Sequence, residues 1–277
     1  MEYNIKIIRY ANNKSQIRIY GSPIHIDDKI AKRIKQNYAI SNTSIQVAID
    51  NEIEILEEKE LHSKLNSISR TKQMIYKICR SNIWDYFVTI TFDPQRANRQ
   101  NYDSILSITT EYLKALKRKY KDFVYILVPE LHTDGVSWHM HGLFKNIPET
   151  ELIFSGKYDS HGLKIYNLKH KFFGWTTLTK VKDNDKVTMY MCKYITKEMC
   201  VLSKNRKRYL ASNNCLRPQE NNYYIQEPQR IIKFIQDKLT YVKTIDFNDS
   251  SITYLELDNA DYYLDLLCLS SLDQEDK

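Results

Sequence analysis

The stretch Glu130, Leu131, His132, Thr133, Asp134, Gly135, Val136, Ser137, Trp138, His139, Met140, His141 gathers three of the chain's seven histidines behind one carboxylate. On an extended strand successive side chains alternate between faces, so His139 and His141 project from one side, about 6 to 7 Å apart along the backbone. That is within reach of a single metal ion. A carboxylate on a neighbouring strand would complete a divalent site, and Glu130 is the candidate. By itself the pair says little: seven histidines in 277 residues give a His-x-His by chance in roughly one chain in six.

A second group of residues could work with such a site. Tyr190 and Tyr194 are four apart and share one face of a helix, and each is followed three residues later by a lysine, Lys193 and Lys197. A tyrosine oxygen can attack phosphorus to give a covalent phosphotyrosine, although the phenol is protonated near neutral pH because its reference pKa is about 10. A nearby cation and a metal-bound phosphate would assist both sides of that reaction. Lys204, Arg206, Lys207 and Arg208 continue the basic track. With 21 tyrosines in the chain, amphipathic packing alone accounts for a Tyr-x-x-x-Tyr, and a solvated strand face accounts for a histidine pair. The joint occurrence, in this order, is what points to chemistry.

The elements that would position these residues follow from periodicity. Residues 4–9 and 16–20 read as short strands with a turn at Gly21, Ser22, Pro23, and 51–80 reads as one or two helices. The β-branched and aromatic run from Tyr86 to Phe92 reads as a strand ended by Asp93 and Pro94. Residues 102–120 read as an amphipathic helix with basic residues at its C-terminal end, where they suit the helix dipole. Strands at 123–132 and 138–145 flank an Asp134, Gly135 turn, which puts the metal candidates on the two strands of one hairpin. Residues 146–174 read as an irregular polar insertion, 175–181 as a strand, 186–199 as a helix and 207–212 as a further strand. This order predicts an α+β fold with helices on one face of a mostly antiparallel sheet, of the ferredoxin-like or RRM-like kind.

Composition sets the partners. Residues 244–277 hold nine acidic side chains against one lysine, a charge of −8, so within an overall +7 the preceding 243 residues carry +15. A body this basic suits a polyanion such as nucleic acid, while a solvated lysine-rich surface is the plainer account. The acidic segment is expected either to mimic DNA and compete for the basic face, or to be a solvated element with β character at 252–257. Five cysteines without a Cys-x-x-Cys pairing argue against a disulfide framework and against a cysteine zinc site. No apolar run approaches the roughly 20 residues of a membrane helix, and the start lacks a signal peptide's apolar centre. The expectation is a protein of the cytoplasm that uses no membrane.

With these residues assembled, the chain resembles the HUH endonuclease superfamily of rolling-circle replication initiators, over about residues 70–215. The likeness is to the phage and plasmid branch related to filamentous phage and microvirus initiators. Phe87 to Phe92 (FVTITF) resembles the first motif, Glu130 to His141 the metal motif, and Tyr190 to Lys197 (YMCKYITK) the two-tyrosine nucleophile motif. The resemblance implies a sequence-specific single-strand DNA nickase and strand transferase that leaves a 5′-phosphotyrosine and a free 3′-OH. It implies a divalent cation, Mg or Mn, held by Glu130, His139 and His141, with Lewis-acid action on the scissile phosphate. In single-tyrosine relatives a carboxylate lies four residues before the nucleophile. Tyr190 occupies that place here, which implies Tyr194 as first nucleophile and Tyr190 as the alternating second.

His132 shares a face with Glu130 by alternation and is read as a partner that orients that carboxylate, with a fourth-ligand role as the alternative. Lys193 and Lys197 are expected at the scissile phosphate or along the DNA backbone. Trp138, Tyr86 and Phe92 are candidates for stacking on unpaired bases, with core packing favoured for Phe92. The expected layout is an N-terminal strand and helix extension at 1–80, the endonuclease domain at 81–215 and a C-terminal region with an acidic tail at 216–277. Expected partners are single-stranded DNA at a replication origin and a host DNA polymerase. A host helicase joins them, since no GxxxxGK[ST] phosphate loop appears. A relaxase or transposase with the same chemistry, and a catalytically silent DNA-binding regulator, are the alternative readings.

Overall fold

The computed structural model describes residues 2–25, 45–169, 173–194, 206–247 and 250–258. In chain order its strands are β1 (Glu2–Arg9), β2 (Lys14–His25), β3 (Tyr86–Phe92), β4 (Val124–Leu131), β5 (Trp138–Lys145), β6 (Leu152–Tyr158), β7 (Lys164–Leu168), β8 (Gly174–Lys180), β9 (Leu210–Ala211), β10 (Gln219–Tyr223), β11 (Leu239–Phe247) and β12 (Ser250–Asp258). The described helices are α1 (Ile45–Arg80), α2 (Tyr102–Lys119), α3 (Asn184–Lys193) and α4 (Gln229–Ile235). The fold is α+β with two antiparallel sheets, and the chain divides into two compact units, Met1–Ile53 with Pro218–Lys277, and Glu54–Arg217.

The first unit carries a five-stranded sheet in the order β10-β1-β2-β12-β11. Alternation sends Ile5 and Ile7 of β1, Ile17 and Ile19 of β2, and Leu255 and Leu257 of β12 to one face, where Ile231 and Ile235 of α4 cover them. Full burial of such a side chain is worth about 1.5–3 kcal/mol over leaving it exposed. Asn4 closes this edge with two hydrogen bonds: its amide donates to the Ile225 carbonyl at 2.7 Å, and its side-chain oxygen accepts from the Ile225 N–H at 3.0 Å. The β character expected at 252–257 is therefore a strand, β12, in the interior of this sheet. The acidic tail beyond it, at 259–277, lies outside the described residues.

The second unit is built on a seven-stranded sheet in the order β6-β7-β8-β3-β5-β4-β9. On β3 the alternation is complete. Tyr86, Val88, Ile90 and Phe92 are buried toward the face that α2 covers, where Tyr112 meets Phe173 and Phe173 meets Phe92, and Phe87, Thr89 and Thr91 project the other way. That second face receives α3, through ring contacts of Phe87 with Tyr190 at 5.4 Å and with Tyr194 at 6.5 Å. The helices thus divide between the two faces, which adds a helix on the second face to the expected arrangement.

The 146–174 insertion, expected as irregular, is a β-hairpin of β6 and β7 that widens the sheet at its edge. Its register shifts between Phe154 and Tyr158, around Gly156, and most of β6 is solvated, so no alternating pattern marks it in sequence. At the opposite side of the sheet the expected Asp134, Gly135 turn is present, with Gly135 at φ 72° as a left-handed turn position requires.

Candidate active site

Register fixes the site. Glu130 of β4 pairs directly with His139 of β5, His139 with Thr91 of β3, and Thr91 with Trp175 of β8. Directly opposed residues share a face, so Trp175, Thr91, His139 and Glu130 form one row across four strands. The next row holds Thr177, Thr89, His141 and Val128. A close approach of β4 to β5 is built in at Gly142, where a Cβ would strike the Ile126 carbonyl and Leu127.

His141 is buried and lies 3.1 Å by its Nδ1 from the Thr89 hydroxyl. Its Nε2 stands 2.7 Å from Glu130 Oε2, yet out of hydrogen-bonding line, so among the described residues this buried nitrogen has no hydrogen-bond partner. Burial, and then the neighbouring His139, push the His141 imidazole down to about 4. Burial likewise lowers His139, assisted by His132 and by the positive charge of Arg99. Both rings are therefore neutral at pH 7, the form in which imidazole binds metal. Burial raises Glu130, and His132 acts against that rise. His132 is exposed, its ring 4.6 Å from that of His139 and its Nδ1 3.8 Å from Asp134 Oδ2. Among the described residues, no group of three His, Cys, Asp or Glu side chains forms a ready-made metal cluster.

The tyrosine helix lies directly against this row. Asp183 caps α3, its carboxylate accepting from the N–H groups of Asp185 and Lys186 at 3.0 Å each, and Asn184 anchors the first turn through the Asn82 carbonyl at 3.0 Å. About three turns later the ring of Tyr194 stacks flat on His141, with centroids 4.0 Å apart and planes 5° from parallel. Tyr190 meets Tyr194 edge-on at 5.1 Å, and Lys193 Nζ lies 5.7 Å from the Tyr190 ring. The two phenols differ in setting: Tyr194 is 6% exposed and Tyr190 45%. Burial first, then the Tyr190 hydroxyl beside it and the charge of Glu130, hold the Tyr194 phenol well above its ordinary value.

The other residues expected at the site are distributed as follows. Trp138 points to the opposite face, 8% exposed, with its ring 4.8 Å from Tyr102; Tyr86 and Phe92 are buried on that face too. Arg206 is ion-paired with Asp103 at 2.8 Å, the Lys207 carbonyl accepts from the Tyr102 hydroxyl at 2.6 Å, and Arg208 donates to Ser67 at 2.7 Å. The side chains of Arg206 and Arg208 are thus tied to α2 and α1. Lys197 and Lys204 lie outside the described residues.

Two residues at the site escaped the sequence reading. Arg99 sits in a loop with no periodicity to mark it, and its carbonyl accepts from the Trp138 N–H at 2.9 Å, at the start of β5. Trp175 was legible in principle, since the alternation of Trp175, Thr177, Thr179 along β8 marks one face.

No curated protein and no solved structure matches the chain. Residues 85–199, which span β3 through the tyrosine helix, match the model of a family described as Replication-associated protein, of the ORF2 type, and over that stretch the chain is similar to replication-associated proteins.

Proposed function

We propose that this protein is an HUH-type initiator of rolling-circle replication, a metal-dependent nickase and strand transferase acting on single-stranded DNA. The observation that carries the reading is the flat stack of Tyr194 on His141, which brings a nucleophile of the right chemistry onto the Glu130, His139, His141 row. The family match over the same elements supports replication initiation.

The donor set fits a divalent cation, Mg or Mn. Glu130 Oε2 and His141 Nε2 already face each other at 2.7 Å with no hydrogen bond between them, and His139 is neutral and directly opposite Glu130 in register. When bound, the ion would supply Lewis-acid polarisation of the scissile phosphate. The chain's own groups do the rest. Tyr194 Oη forms a bond to phosphorus as the P–O3′ bond breaks; the phenol gives up its proton, and the departing oxygen ends as a 3′-OH. Because its phenol is held high, Tyr194 is a poor resting anion, so proton loss accompanies attack instead of preceding it. Lys193 and Lys197 would offset charge on the phosphate, and Arg99 lies beside His139 to do the same. The phosphotyrosine ester conserves the bond for rejoining when a 3′-OH returns, with the more exposed Tyr190 as second nucleophile.

The test is cleavage of single-stranded oligonucleotides covering the protein's own locus, with Mn or with chelator. Cleavage that needs Mn and falls at least a hundredfold in Glu130→Gln is expected, and equal cleavage by that variant would overturn the reading.

A further inference from the structure

The row that begins at Glu130 and His139 does not end at the metal candidates. It continues through Thr91 to Trp175, whose side chain is 54% exposed on the same face. Two strand spacings separate Trp175 from His139, about 10 Å. The tyrosine helix covers the neighbouring rows through Phe87 and His141, and toward β8 the face stays open: Trp175, Thr177 and, farther along on β6, Ile153 are all exposed. An indole this exposed on a strand is uncommon unless it meets a partner.

We infer that Trp175 stacks on an unpaired base of the DNA strand whose phosphate lies at Glu130 and His139, so that this row is the path of the strand across the sheet. The inference rests on the proposed function and assigns it a binding residue. Single-stranded DNA is the occupant because the body carries +15 within residues 1–243, because Arg99 stands at the head of the row beside His139, and because a stacking platform needs a base whose face is free.

The chain offers its own probe. Of its three tryptophans, Trp84 and Trp138 are 3% and 8% exposed, and the Trp84 indole N–H donates to the Cys79 carbonyl at 2.9 Å. Fluorescence quenching by DNA therefore reports on Trp175. A short oligothymidylate, added in chelator so that no cleavage occurs, should quench the wild-type protein, whereas a duplex should not. Trp175→Phe should keep binding, read by anisotropy of a labelled strand, and lose the quenching. Trp175→Leu, which removes the ring and keeps an apolar side chain, should bind roughly five- to hundredfold more weakly. Unchanged affinity in Trp175→Leu, quenching that persists in Trp175→Phe, or equal quenching by duplex would each overturn the inference and leave the nickase reading standing. Oligothymidylate that does not bind wild-type protein at all refutes both.

Discussion

His141 is the residue on which the site turns, because three separate contacts converge on one imidazole: Thr89 on Nδ1, Glu130 beside Nε2 and the Tyr194 ring on its face. Its burial has a measurable cost in acid. In the folded chain it titrates at about 4 against 6.5 when free, so between those values the unfolded chain binds a proton that the folded chain refuses. The sign follows from linkage: the contribution is fully present above about pH 6.5 and is lost as pH falls toward 4, by roughly 3 kcal/mol. Urea unfolding in chelator at pH 7 and pH 4 should show that drop in wild type. It should shrink in His141→Gln, and an identical drop in both would remove His141 as its source. Residue type and spacing were enough to single out Glu130, His139, His141 and the two tyrosines. They could not show that Trp138 turns to the far face or that Arg206 and Arg208 are tied to neighbouring helices, since those outcomes depend on contacts with Tyr102, Asp103 and Ser67.

At the scale of elements, the pairing of β4 with β5 sets the distance between carboxylate and imidazoles, and Gly142 permits it. A methyl group there meets the backbone of Ile126 and Leu127 on the adjacent strand, so β4 must move away from β5. Gly142→Ala should destabilise the protein by about 1–3 kcal/mol, read from the urea midpoint. It should also reduce Mn-dependent cleavage beyond what the stability loss explains, because Glu130 moves with β4; full cleavage in the folded variant would show that this spacing is not critical. Strands β3, β4 and β5 were legible because one face is apolar and the other polar, which is the condition under which alternation appears. The β6–β7 hairpin lacked that contrast, with Ile153, Phe154 and Tyr158 all exposed along one strand. The tyrosine helix was recognised by its Tyr-x-x-x-Tyr, and its beginning falls two residues earlier than periodicity suggests because Asp183 supplies the cap.

At the scale of the molecule, the first unit is assembled from both ends of the chain. β1 pairs Ile5 with Tyr223, and β2 pairs Ile17 with Leu255, couplings more than two hundred residues long that no local pattern records. A truncation at residue 244 would therefore remove β12 from the interior of a sheet as well as the acidic tail, and a test of the tail must begin after Asp258. The charge asymmetry was legible from composition, and it gives the basic body a physical reason to hold a polyanion. Among the described residues no helix is long and apolar enough to cross a membrane. The central claim is that a tyrosine of this chain becomes covalently joined to DNA at the Glu130, His139, His141 row. Its most direct measurement is the intact mass of the protein after incubation with Mn and single-stranded oligonucleotides from its own locus. The account predicts an added mass equal to the 3′ portion of the cut strand, strongly reduced in Tyr194→Phe and absent when Tyr190 is also Phe. An undiminished adduct in the double variant would contradict it.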